Sequence, residues 1–131
     1  MKQKIVYITL LVRDYDEAIS FYTEKLQFRL IEDTPRGERK RWVLVAPPGS
    51  NETSLLLAKA VTDEQKKCIG NQSGGRVSFF LHTDDFQRDY NNYKSNGVIF
   101  TEEPREESYA KVVVFKDLYG NKWDLLELKN D

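Results

Sequence analysis

The run "KWDLLEL", Lys122 to Leu128, carries one carboxylate, Asp124, inside a segment of β-strand composition. Such an acid is either a metal ligand with partners elsewhere in the chain or a carboxylate left on a strand face. His82, the only histidine, ends "RVSFFLH" and alternates in phase with Ser78 and Phe80. It can serve as a general acid or base, or sit beside "TDD" as a surface residue at a helix start. Glu106 and Glu107 in "TEEPREES" make a paired-acid site only if they converge; otherwise the run is a solvated loop. Cys68, the single cysteine, has no histidine near it in sequence to act as its base, so it reads as an ordinary linker thiol. Arg41 and Trp42 have opposite phase on one strand. An inward arginine suits a carboxylate or phosphate and an inward tryptophan an aromatic ligand, and the sequence leaves the choice open.

The elements that must position these residues come in a repeating order. A strand over Lys4 to Val12 leads into a helix over Tyr15 to Leu26. Asp14 and Glu17 have capping-box spacing there, and Tyr15, Ile19, Tyr22 and Leu26 form one apolar face. Three β-rich runs follow, "FRLIED", "KRWVLVAP" and "ETSLLLAKA", separated by Gly, Pro and Asn turns. A polar connector spans residues 61–74. Then "RVSFFLHT" reads as a strand and "DDFQRDYNNYKSNG" as a helix with an aspartate cap and Gly97 at its end. "VIFTEEP", "YAKVVVFKD" and "KWDLLELK" make three more strands.

Adding 71 to Tyr15, Ile19 and Tyr22 gives Phe86, Tyr90 and Tyr93, and the same offset pairs Tyr7 with Ser78. Self-similarity of this kind predicts two like units, about residues 1–60 and 75–131, within a single domain. The predicted class is α+β: two tandem β-α-β-β-β modules in a curved mixed sheet, helices outside, around a cleft where a ligand would bind.

This doubled plan, opened by "LLVRDYDEAISFYTEKLQF" and closed by "VVVFKDLYGNKWDLLEL", resembles the vicinal oxygen chelate superfamily, which includes glyoxalase I, bleomycin-resistance proteins and extradiol dioxygenases. In its metal-dependent members the resemblance implies four inward ligands, usually His, Gln or Glu, which fall here at Tyr7, Leu56, Ser78 and Asp124. Only Asp124 is an ordinary ligand type, since leucine has no lone pair and neutral hydroxyls are poor donors. A divalent zinc, nickel, manganese or iron therefore has a degenerate site. In the same register Asp124 faces the cleft, where it can bind a substrate cation, orient a hydroxyl or act as a base. Tyr7 and Ser78 can hydrogen-bond a ligand, with His82 near the strand end.

The chain has 131 residues, enough for one domain with a real core and no disulfide. Its 20 basic and 21 acidic residues leave a net charge of −1, which gives no field for collecting nucleic acid. No run is long enough to span a bilayer. The apolar start lacks a small-residue cleavage site and leads into an acidic helix start, so it reads as a strand and not as a signal peptide. These features give three functional readings in order. The first is a metal-independent binder of a small organic molecule, as in the resistance proteins. The second is a glyoxalase-like lyase or isomerase, or a dioxygenase, with a non-standard ligand set. The third is a non-catalytic regulatory or structural dimer. A cytoplasmic homodimer is expected in each case, strands left open at unit edges supplying the physical motive.

Overall fold

A computed structural model describes residues 1–130, which fall into two compact units, residues 1–69 and residues 70 onward. Each unit is α+β, with its own mixed sheet.

The first unit begins with β1 (Tyr7–Val12) and α1 (Tyr15–Ser20), which runs on as a π-helical turn over Phe21–Lys25. The Asp14 carboxylate accepts from the Glu17 backbone N–H at 2.9 Å and so caps the helix. The change to π geometry coincides with Thr23, whose hydroxyl donates to the Ile19 carbonyl at 2.7 Å, a back-bond that bends helices. Gln27 then stops the helix with a left-handed φ of 62°, and Phe28 N–H donates to the Tyr22 carbonyl. β2 (Arg29–Pro35), β3 (Arg41–Ala46) and β4 (Ser54–Lys59) complete a sheet of order β1-β4-β3-β2, with β1 and β4 parallel and the rest antiparallel. β1 is shorter than the predicted start at Lys4. The residues ahead of Tyr7 are tied down partly by a side chain, Thr53 Oγ1 donating to the Ile5 carbonyl.

Leu10, Val12, Val43, Val45 and Leu57 are fully buried on the sheet face that meets α1, together with Ala18 and Tyr22. Full burial of each large aliphatic side chain contributes about 1.5–3 kcal/mol, so this layer is the first unit's main source of stability. The stretch predicted as a featureless connector holds a helix, α2 (Asp63–Cys68). Its signal is a complete capping box: Thr62 Oγ1 accepts from Gln65 N–H at 3.1 Å, and Gln65 Oε1 accepts from Thr62 N–H at 3.3 Å.

The second unit contains β5 (Val77–His82), α3 (Phe86–Ser95), β6 (Ile99–Phe100), β7 (Arg105–Glu106), β8 (Ala110–Lys116) and β9 (Lys122–Leu128). Its sheet order is β5-β9-β8-β6, with β7 also paired to β8 and β5 parallel to β9. The strand predicted from "VIFTEEP" is thus confined to Ile99–Phe100, and a second short strand, Arg105–Glu106, forms beyond it within the run read as a loop. Pro104 between them lacks the N–H a continuous ladder needs. Asp85 caps α3 through Arg88 N–H at 3.1 Å. Phe86 and Tyr93 bury themselves as Tyr15 and Tyr22 do in the first unit, so the residues offset by 71 occupy equivalent core positions. Tyr93 meets Phe115, which stacks on Trp123 with centroids 5.8 Å apart. No helix among the described residues is long and apolar enough to cross a membrane.

Candidate functional site

Because side chains alternate across a strand, the register of the first sheet settles which residues share the face away from α1. Thr9 lies beside Leu56, Leu11 beside Ala58, and Leu44 beside Leu56, which puts Trp42 of β3 on that face. Arg41 has the opposite phase. Its guanidinium binds Asp33 through Nε at 3.1 Å and Nη2 at 2.7 Å, reaches Asp16 at 2.9 Å and lies 5.1 Å from the Tyr15 ring centroid. The Arg41 hydrogen bond holds the Asp33 carboxyl below its usual range, and the two aspartates raise the guanidinium's own affinity for its proton. Arg41 is therefore occupied, and Trp42 is the member of the pair that lies on the floor.

That floor belongs to a groove of about 1160 Å³, lined by Thr9 and Leu11 of β1, Leu56 and Ala58 of β4, and Trp42. One wall is the turn between β2 and β3, with Arg39 and Lys40; the other is α2 and its flanks, with Gln65 and Lys66. Tyr7 stands outside the groove lining but braces it, its ring meeting Trp42 edge-on at 5.8 Å. Leu56, one of the positions singled out from sequence, is part of the floor. The groove offers an apolar, aromatic surface large enough for a drug-sized molecule, with polar groups at its margin.

The remaining sequence candidates lie in the second unit. Asp124 is flanked on the β9 ladder by Phe80 and Val114. Its Oδ1 is buried and accepts no hydrogen bond among the described residues. Burial pushes its carboxyl above the usual range; Arg105 nearby opposes that shift and Glu102 adds to it. Ser78 sits at the irregularity between Val77 and Phe79, and its hydroxyl pairs with that of Ser73 at 2.6 Å. His82 is exposed at the end of β5. The acids of "TEEPREES" do not converge: Glu107 pairs with Arg105 at 2.8 Å, whereas Glu106 pairs with Lys129 at 2.9 Å. The paired-acid alternative is thereby corrected, since each carboxylate is drawn to a different cation, one on β7 and one just past β9.

These donors do not suit a divalent ion. In the first unit the two implied positions hold a phenol and a leucine, and in the second a serine engaged with Ser73 and one carboxylate. Among the described residues no three His, Cys, Asp or Glu side chains come together.

Residues 4–125 match the model of the Glyoxalase/Bleomycin resistance protein/Dioxygenase superfamily. The chain belongs to this superfamily. A relative from Shewanella frigidimarina (strain NCIMB 400), an uncharacterised protein, is 60% identical over 99% of this chain and 97% of its own. Among solved structures, UcmS2 superposes with a TM-score of 0.84 at 29% identity, covering 96% of this chain and 98% of its own. TnmS3, an antibiotic binding protein from Streptomyces sp. CB03234, gives 0.80 at 28% identity, covering 98% of each chain. Within the superfamily's doubled plan, the feature that sequence reasoning missed here is the groove's walls. The capping box at Thr62 and Gln65 is the signal that would have revealed one of them.

Proposed function

We propose that this chain is a binding protein for a small organic molecule with an aromatic portion, held in the first unit's groove against Trp42. The observation that carries the reading is the groove itself. Its floor is Trp42, Leu11, Leu56, Ala58 and Thr9, which can hold a planar apolar body but supplies neither nucleophile nor base. The likeness to TnmS3 supports it, as a relative by structure that binds an antibiotic. Binding in this way needs no metal, consistent with the donor chemistry at Tyr7, Leu56, Ser78 and Asp124. Sequestration, and not turnover, is the activity proposed, in a cytoplasmic protein.

A homodimer belongs to the same proposal. β1 is an edge strand of its sheet and exposes Tyr7 and Ile8, with Ile5 exposed just ahead of it, the kind of apolar edge that pairs with another chain. Sedimentation at micromolar concentration should then give a mass near twice that of the chain.

The glyoxalase-like enzyme remains as the second reading, on the strength of Asp124, whose desolvated carboxyl has the character of a general base. A thermal-shift screen with planar aromatics, run with and without chelator, separates the two. A ligand at a hundred times its dissociation constant adds ~2.7 kcal/mol of stability. Stabilisation unaffected by chelator supports the binder. Stoichiometric uptake of nickel, zinc, manganese or iron that is lost in Asp124→Ala would favour the enzyme.

A further inference from the structure

The groove's rim differs in charge from the rest of the molecule. Six basic residues line it, Arg13, Arg39, Lys40, Arg41, Lys59 and Lys66, against a single acid, Glu38. The lining thus carries 6 − 1 = +5, whereas the whole chain is −1, so the residues outside it sum to −6. Two of the six are already neutralised. Arg13 is held by Glu17 through bonds of 2.8 and 2.9 Å, and Arg41 by Asp33 and Asp16. Lys59 shares the phase of Leu57 and so belongs to the sheet face that meets α1; the remaining three, Arg39, Lys40 and Lys66, make no ion pair among the described residues. They come from two separate elements, the β2–β3 turn and α2. In the second unit, by contrast, Arg88 and Arg105 each engage two carboxylates.

Three cations against the single acid Glu38, around an aromatic floor, repel one another unless something more that is negative lies between them. An anion in the groove would relieve that repulsion and be drawn in by the field. Neutral hydrogen-bonding groups are few by comparison. Thr9 is one, and Gln65, whose amide oxygen is committed to the α2 cap, is another.

We infer that the ligand of this groove is an aromatic organic acid: a planar ring system lying on Trp42, with an ionised carboxylate or phenolate directed at Arg39, Lys40 and Lys66. The inference rests on the binding function proposed above and names its chemical class. Association is predicted to weaken with salt, because rim charges exposed to solvent are screened within about 8 Å at physiological ionic strength. A cationic aromatic of the same shape is disfavoured by the same field.

Three probes of one shape test this: anthracene-9-carboxylate, its uncharged carboxamide, and 9-(aminomethyl)anthracene. Each is titrated by fluorescence or calorimetry into the full chain, into Trp42→Ala, and into the exposed-residue variants Lys66→Gln and Arg39→Gln/Lys40→Gln. The carboxylate should bind about 5-fold tighter than the carboxamide, as the upper range of one exposed ion pair's free energy provides. That preference should shrink in each Gln variant and in high salt, while the carboxamide is unaffected by either. Circular dichroism confirms that the variants are folded. Equal binding of carboxylate and carboxamide, both lost in Trp42→Ala, would overturn the anionic class and leave the groove's binding function standing. Preference for the amine would overturn it in the same way. Binding of none of the three, or binding indifferent to Trp42→Ala, would overturn both.

Discussion

The Tyr7 ring meets the Trp42 ring edge to face, with centroids 5.8 Å apart and planes at 82°. The contact spans the sheet from edge strand β1 to β3 on the face away from α1, and it fixes the orientation of the largest apolar surface in the groove. If the ring and not the hydroxyl of Tyr7 matters, Tyr7→Phe should leave stability within about 0.5 kcal/mol of wild type. Tyr7→Ala should cost about 1 kcal/mol and loosen Trp42, by loss of the aromatic pair. Urea denaturation of both variants measures the difference.

The left-handed Gly70 has a consequence that can be isolated from its backbone preference. A Cβ there would lie 2.0 Å from the Tyr119 carbonyl oxygen, a backbone atom that cannot swing aside. Gly49 has nearly the same φ, 77° against 76°, but open space around it. Gly49→Ala should therefore cost about 1 kcal/mol, the conformational term alone, and Gly70→Ala clearly more, about 3 kcal/mol or above. Comparison of their denaturation midpoints checks both numbers.

Asp117 organises the turn between β8 and β9. It accepts from Tyr119 N–H and Asn121 N–H at 2.9 Å each and from the Asn121 side-chain amide at 2.8 Å, and it is buried. Asp117→Ala deprives three donors at once, and a loss of about 2–4 kcal/mol is expected. Amide exchange at Tyr119 and Asn121 should accelerate in a milder variant, Asp117→Asn.

Two aspartates should show opposite pH signatures. Asp33 is held below its ordinary range by Arg41, so the pair stabilises the fold above the unfolded carboxyl's pKa and that contribution is lost as pH falls through the folded value. Asp33→Asn should lower the midpoint at pH 7 and do little at pH 2. Asp124 is raised by burial, so its ionised form costs stability above the folded pKa and nothing below the unfolded one. Asp124→Asn should raise the midpoint at pH 7, with the gain fading in acid. Denaturant midpoints across pH 2 to 7 read both.

The parts of the fold governed by local chemistry were legible in the sequence. Asp14 and Asp85 announced α1 and α3, and the 71-residue offset placed Tyr15 with Phe86 and Tyr22 with Tyr93 in equivalent cores. What depended on distant partners was not. The two phases of "RWVLVA" are equivalent until Tyr15 and Asp16, about 25 residues away, claim Arg41 and leave Trp42 on the other face. The environment of Asp124 likewise depends on Arg105 and Glu102, brought near by the pairing of β7 with β8. α2 was missed for a different reason. Its capping box was present in "TDEQ", but the segment is too short and too polar to show an apolar face.

The most direct test of the central claim is chemical-shift mapping on the chain with uniform nitrogen-15 label, titrated with anthracene-9-carboxylate in the presence of chelator. The groove account predicts saturable shifts at the Trp42 indole N–H and at the amides of Thr9, Leu56 and Ala58, with Trp123 and Asp124 little moved. Shifts centred on Phe80, His82 and Asp124, or none until a divalent metal is supplied, would contradict it.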